Sequence, residues 1–179
     1  MMTFYPTIRV KRVNPNAQLP TKAHPTDAAY DLCAMEDVTL RPGEFKMIGC
    51  GLAFAIPQGW CGVVYPRSGL GCKGLVLKNT VGIIDSHYRG EVMLPLLNNN
   101  QTHKRRRLGH AIRVALCNAI RRERIEPAGT IHVRKGDRVA QMRIELVPDT
   151  TLIEVDELDE TDRNTGSFGS TGISGGERL

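Results

Sequence analysis

At 179 residues, 41% of them hydrophobic and 24% charged, the chain is long enough to bury one core and fits a single domain with a decoration. That balance excludes wholesale disorder, and no apolar run reaches the ~18–20 residues that span a bilayer. The net charge of +5 is concentrated: residues 102–129 hold eight basic and two acidic side chains, leaving 16 basic against 17 acidic elsewhere.

The opening residues, Met1 to Pro6, lack the apolar core of a secretory signal and point to a cytoplasmic protein. Ile8 and Val10 alternate with Thr7, Arg9 and Lys11, the period of a half-buried strand. Pro15, Pro20 and Pro25 punctuate a polar loop, and Asp27 to Ala34 reads as a short apolar strand carrying two acids. Arg41-Pro42-Gly43-Glu44 and Pro57-Gln58-Gly59-Trp60 are turns, with a strand over Met47 to Ile56 between them. Cys61 to Tyr65 is a strand that stops at Pro66-Arg67-Ser68-Gly69. Asn79 to Ile84 reads as a buried apolar strand, joined through a polar turn to a second, Val92 to Leu97. From Leu108 to Ile125, Leu108, Ile112, Leu116 and Ile120 recur at i, i+4 spacing among arginines, which predicts an amphipathic helix. Alternation resumes with Ile131 and Val133 and, after the turn Lys135-Gly136-Asp137-Arg138, with Met142, Ile144 and Leu146. Short strands between Gly/Pro turns predict an all-β barrel or sandwich. From Asp156 an acidic run leads into a glycine- and hydroxyl-rich tail with one aromatic, Phe168, the composition of a mobile arm.

The five cysteines form no Cys-x-x-Cys pair and the five histidines show no metal-ligand spacing, so reduced thiols and no transition-metal site are expected. Two stretches hold candidate chemistry. In Asn79–Glu91, Ile83 and Ile84 carry Asp85 to a strand end, where a carboxylate can face a cleft. Gly82 and Gly90 bracket the turn with residues that permit unusual backbone angles and close approach of a ligand. A carboxylate, the Tyr88 ring and the Asn79 amide on one rigid hairpin suit a base and sugar held beside an activated water. An ordinary hairpin with its polar residues in solvent fits the same letters. In Pro66–Gly71, Arg67 and Ser68 are natural phosphate donors and the glycines free backbone N–H groups, although a plain turn shares that composition and the chain has no Walker pattern.

Five stretches stand in a telling order along almost the whole chain. They are Ala28-Ala29-Tyr30-Asp31-Leu32; Pro66-Arg67-Ser68-Gly69; Asn79-x-x-Gly82-x-Ile84-Asp85-x-x-Tyr88-x-Gly90; Gly136-Asp137-Arg138-x-Ala140-Gln141; and Arg163 through Phe168-Gly169-Ser170-Thr171-Gly172. Together they resemble the five motifs of the trimeric dUTPase family, the deoxyuridine triphosphate nucleotidohydrolases. The resemblance implies an all-β, jelly-roll-like (β-clip) domain over residues 1–155, carrying the basic, helical insert at 102–129, with a flexible arm over 156–179. It implies a homotrimer with three sites at subunit interfaces and magnesium-dependent hydrolysis of dUTP to dUMP and pyrophosphate.

By the same resemblance Asp85 is the general base for water attacking the α-phosphorus. Tyr88 packs under the deoxyribose, and Asn79 with the backbone at Gly82 reads the uracil edge. Arg67, Ser68, Gly69 and Gln141 hold the phosphates, and Asp31 holds hydrated magnesium through water. Arg163, Gly169, Ser170 and Thr171 clamp the γ-phosphate while Phe168 stacks on the base. An Asp with a pKa near ~3.9 is a weak base at neutral pH, so positioning must supply most of its effect. Ordering six arm residues costs on the order of 6–12 kcal/mol, against ~1–3 from stacking one base. Phosphate contacts must therefore close the arm, which is expected to shut on a triphosphate and stay open on dUMP.

The chain departs from the family pattern at four positions and one segment. His87 stands where many relatives carry a second Asp, Asn164 and Ser167 where glycine is usual, and Ala29 where glycine is usual. Positive φ at Asn164 or Ser167 would strain arm closure. The insert fits a solvated helix, a surface for a protein partner, or a nucleic-acid contact; its arginines suit phosphates, but no aromatic residue lies in it to stack bases. Two rival readings are a dCTP deaminase, which shares the fold, and a regulatory protein that uses the scaffold and the insert without turnover.

Overall fold

The computed structural model describes residues 5–101 and 126–166. The chain divides into two units, Met1–Pro148 and Asp149–Leu179. Strands in the first unit are β1 (Arg9–Arg12), β2 (Tyr30–Cys33), β3 (Val38–Leu40), β4 (Phe45–Gly49), β5 (Leu52–Ala55) and β6 (Trp60–Pro66). A single helical turn, α1 (Ser68–Gly71), precedes β7 (Leu75–Leu77), β8 (Gly82–Ile84), β9 (Met93–Asn98), β10 (Ile131–Val133) and β11 (Arg138–Leu146). Every pairing is antiparallel. One sheet runs β2-β11-β6-β8, a second β4-β9-β7, and β1 pairs with β5 as β10 does with β3.

Period-two alternation decides which way each strand faces. Leu94, Leu96 and Asn98 of β9 turn inward between partly exposed neighbours, and in β11 Val139, Ala140 and Met142 are buried, with a register irregularity between Arg138 and Ala140. Leu32, Leu40, Ile48, Leu52, Leu94, Leu96 and Met142 are all but fully buried, each contributing about 1.5–3 kcal/mol of transfer free energy. Asn98 is the one fully buried polar side chain among the described residues. Its amide is satisfied: Nδ2 donates to the Leu40 and Gly129 carbonyls, each at 2.8 Å, and Oδ1 accepts the Asn100 N–H at 3.0 Å. Asn100 Nδ2 also reaches the Gly129 carbonyl, at 3.2 Å. Gly129 is therefore tied to the body beside Asn98 and Asn100.

Four local expectations change. Met47 to Ile56 is two strands, because Gly51 takes φ +72° and breaks the run between β4 and β5. Pro66–Gly71 is the end of β6 followed by a helical turn. Asn79 to Ile84 is no buried strand: β8 is a three-residue edge on which Ile83 is 58% exposed. Nor do Asn79–Glu91 and β9 form a hairpin, since β8 pairs with β6 while β9 lies between β4 and β7. The predicted helix over 108–125 lies outside the described residues. Among the described residues no helix is long and apolar enough to cross a membrane.

Candidate active site

Asp85 stands one step beyond the Ile84–Gly62 pair that ends β8, level with Cys61 at the start of β6. Partial burial pushes the Cys61 thiol up, with the carboxylates of Glu145 and Asp85 adding to it. A turn follows, closed by Tyr88 N–H donating to the Asp85 carbonyl at 3.0 Å. Arg89 Nη1 caps it with bonds to the Ser86 and Tyr88 carbonyls, at 2.6 and 2.8 Å. None of the turn's side-chain bonds engages the Asp85 carboxylate among the described residues.

A pocket of about 290 Å³ gathers Asn79, Gly82, Asp85 and Tyr88 over an apolar lining that includes Val64, Leu77, Val92 and Met93. The glycines serve space, not angle: neither Gly82 nor Gly90 has positive φ. A Cβ on Gly82 would meet Asn79 Nδ2 at 3.4 Å, an ordinary contact, so its bareness chiefly leaves pocket volume. A Cβ on Gly90 would sit 2.6 Å from Tyr88 Cζ, so the ring can lie there only over glycine. The unusual angle belongs to Thr80, at φ +62°. His87 lines a different concavity, with Thr7, Gln58 and Arg89.

A second pocket, of about 570 Å³, collects Asp31, Arg67 and Gln141 with Tyr65 and Arg143. Register explains the grouping, because Gln141 of the central strand β11 lies opposite Asp31 on one side and Tyr65 on the other. Gln141 Nε2 donates to the Pro66 carbonyl at 3.0 Å. The Asp31 carboxylate takes Arg67 Nε on Oδ1 at 3.0 Å and Arg138 Nη1 on Oδ2 at 3.1 Å. Arg67 Nη1 donates to the Arg138 carbonyl at 3.0 Å, so the three side chains form one clamp. Tyr65 Oη donates to Glu145 at 2.9 Å, which raises its phenol above the usual range. Ser68 and Gly69 open the helical turn beside Arg67, and space around Gly69 is clear.

The two pockets take neighbouring residues of β6, Val64 and Tyr65, which alternate to opposite faces, while Asp85 lies level with the start of that strand and Arg67 follows its end. From the level of Cys61 to Arg67 is six residues, roughly 20 Å of strand, longer than a triphosphate. Asp85 and Arg67 are thus set well apart along β6. Arg163, in the second unit, folds onto its own turn, with Nε donating to the Gly166 carbonyl at 3.1 Å, and Asn164 there takes φ +39°. Ser167, Phe168, Gly169, Ser170 and Thr171 lie outside the described residues. Sequence reasoning missed Arg138 as the second partner of Asp31, although Arg138 lay in a quoted motif. It also missed Glu91, whose only signal was its place just after Gly90.

A model of the dUTPase family matches residues 15–121. The chain belongs to the dUTPase family. It is 39% identical over 166 residues to the deoxyuridine 5'-triphosphate nucleotidohydrolase of Nocardia farcinica, spanning 92% of this chain and 85% of that one. Among solved structures it is similar to the dUTPase of Staphylococcus bacteriophage 80alpha with dUpNHpp, at TM-score 0.77 and 29% identity, covering 93% of this chain and 99% of that one. It is also similar to a mutant dUTPase of Staphylococcus aureus phage phi11, described with a structural Mg(II) ion, at TM-score 0.70 and 28% identity over 87% of this chain and all of the other. The fold is accordingly the all-β, jelly-roll β-clip of dUTPases.

Proposed function

We propose that the chain hydrolyses dUTP to dUMP and pyrophosphate, with Asp85 as general base for a water attacking the α-phosphorus. The observation that carries this reading is the single pocket that joins Asn79, Gly82, Asp85 and Tyr88, with the carboxylate free of protein donors among the described residues. An amide to read a base edge, a ring to face a sugar and a base beside both are the groups that nucleotide hydrolysis needs. Arg67, Ser68, Gly69 and Gln141 hold phosphate in this reading, joined by Arg163, Gly169, Ser170 and Thr171 from the arm, with Phe168 over the base. The dUpNHpp held by the phage 80alpha relative supports the substrate class.

The separation of the two pockets supports a site built between copies in a homotrimer, where Asp85 of one subunit meets Arg67, Gln141 and Asp31 of the next. Half-exposed Phe45, Met47 and Met93 on one face of β4 and β9 offer apolar surface for such packing. Magnesium fits the donor set only in an outer shell. No group of three His, Cys, Asp or Glu among the described residues could hold it, and each Asp31 oxygen already accepts a guanidinium, keeping a lone pair for water. Magnesium carried by the triphosphate and its waters, with Asp31 behind them, suits that arrangement, and when bound it would neutralise charge on the phosphates. Pyrophosphate release measured across dUTP, dTTP, dCTP and UTP, for the native protein and Asp85→Asn, tests the reading. Turnover restricted to dUTP and lost in the variant is expected; ammonia release from dCTP would give the fold to the deaminase rival.

A second reading adds a binding role for residues 102–129, whose eight basic and two acidic side chains support a phosphate-bearing or acidic partner. Phage dUTPases, the 80alpha enzyme among them, are described as controlling transfer of virulence genes. Salt-sensitive DNA binding that disappears on deleting 102–125 would assign the segment to nucleic acid; DNA binding unchanged by the deletion would remove that assignment.

A further inference from the structure

We propose that Glu91 is a positioning residue that sets the ring of Tyr88 and, through it, the preference for deoxyribose over ribose; this rests on the reading of Tyr88 as the residue that meets the sugar. Glu91 is the point at which the Asp85 turn is fastened to the body. Its Oε1 accepts the Gly51 N–H at 2.7 Å. Gly51 lies in the break between β4 and β5 at φ +72°, a conformation that turns its N–H toward Glu91 and that side chains other than glycine's resist. Gly49, two residues earlier, makes the berth: a Cβ there would lie 2.9 Å from Glu91 Cδ and closer still to Oε1. The next residue is tied to the same break, with Val92 N–H donating to the Leu52 carbonyl at 2.9 Å and accepting Cys50 N–H on its own carbonyl at 3.2 Å.

The main-chain end of Glu91 holds a residue of the pocket, Tyr88. Its carbonyl accepts the Tyr88 phenol at 2.9 Å, and the phenol end of the ring lies against Gly90. Tyr88 is 43% exposed, so core packing does not choose its rotamer. The Gly90 floor and the Glu91 carbonyl do, and that carbonyl stays put because the carboxylate behind it is docked on Gly51. Rejecting a single hydroxyl requires the ring to be held to a fraction of an ångström, which is the task of a docked main chain and not of a free turn.

The test is steady-state kinetics with dUTP and UTP, beside thermal melting, for the native protein, Glu91→Ala, Glu91→Gln, Gly49→Ala and Tyr88→Ala. Glu91→Ala should lower the dUTP-over-UTP ratio of kcat/KM by roughly tenfold or more, the scale of a small misplacement. Glu91→Gln, which keeps an acceptor oxygen for the Gly51 N–H, should restore most of that ratio. Gly49→Ala crowds the carboxylate from its berth without deleting it and should reproduce the loss; it decides the matter if Glu91→Ala does not fold. A ratio kept by Glu91→Ala and Gly49→Ala but lost in Tyr88→Ala would overturn the role of Glu91 and leave the sugar reading standing. A ratio kept by Tyr88→Ala would overturn both.

Discussion

Asp31 is a carboxylate with a guanidinium on each oxygen, its side chain only 12% exposed. Paired this way, Arg67 and Arg138 have their planar forks fixed, Arg67 in the lining of the pocket that also holds Gln141, so little rotamer freedom remains to be lost on binding. Removing the charge while keeping the shape isolates its electrical role. Asp31→Asn is expected to raise the magnesium concentration for half-maximal activity by roughly tenfold or more, as loss of an outer-shell partner does, and a magnesium titration of turnover reads it. Cys50 offers a different single-residue test. Burial pushes its thiol from the ordinary 9.0 up to about 11. The folded chain then holds this proton more tightly than the unfolded one, so the stabilisation is complete below pH 9 and is lost as pH rises toward about 11. Between about pH 8 and pH 10.5 the native protein should lose about 2 kcal/mol more unfolding free energy than Cys50→Ala, in parallel urea titrations that cancel the shared lysines and tyrosines.

The turn from Asn79 to Glu91 joins two sheets, β8 on one side and β9 on the other, and is tightened at both ends. At its start Val81 N–H donates to the Asn79 carbonyl at 2.6 Å across Thr80, whose positive φ matches the strained three-residue turn. A β-branched residue in that region costs about 1–3 kcal/mol, which the surrounding strands must offset. At its end Gly90 admits the Tyr88 ring. Gly90→Ala should displace that ring, cost about 1–3 kcal/mol of stability as overpacking does, and raise KM for dUTP more than it lowers kcat. Melting curves and saturation kinetics measure the two effects. Much of this element was legible in the letters: Asn79, Gly82, Asp85 and Tyr88 do line one pocket. Its pairing was not, because a polar turn between two apolar runs looks the same whether the runs bond to each other or to different strands.

For the molecule as a whole, the distance along β6 between the Asp85 and Arg67 ends makes a prediction about assembly. Asp85→Asn and Arg67→Ala, each inactive alone, should regain activity when unfolded and refolded as a mixture. A site that takes Asp85 from one copy and Arg67 from another is intact at some interfaces of the mixed oligomer. Activity no greater than that of the separate variants would return both residues to one chain. The insert belongs to this scale as well. Asn98 and Asn100 bind the Gly129 carbonyl, so the residues that flank the insert are joined by hydrogen bonds of the body itself.

What the amino-acid order determined alone was local. Period-two runs and Gly/Pro turns marked most strands and the all-β class, because side-chain alternation and backbone angle depend on immediate neighbours. The motif residues carried the family for a similar reason, being short patterns readable in place. Only the tertiary structure decided which strands lie side by side, and hence that Arg138 reaches Asp31 across 107 positions and that Glu91 docks on Gly51 across 40. It also decided that the candidate residues fall into two groups. Cross-strand register is set by how the whole apolar core packs, and no local run of residues encodes it.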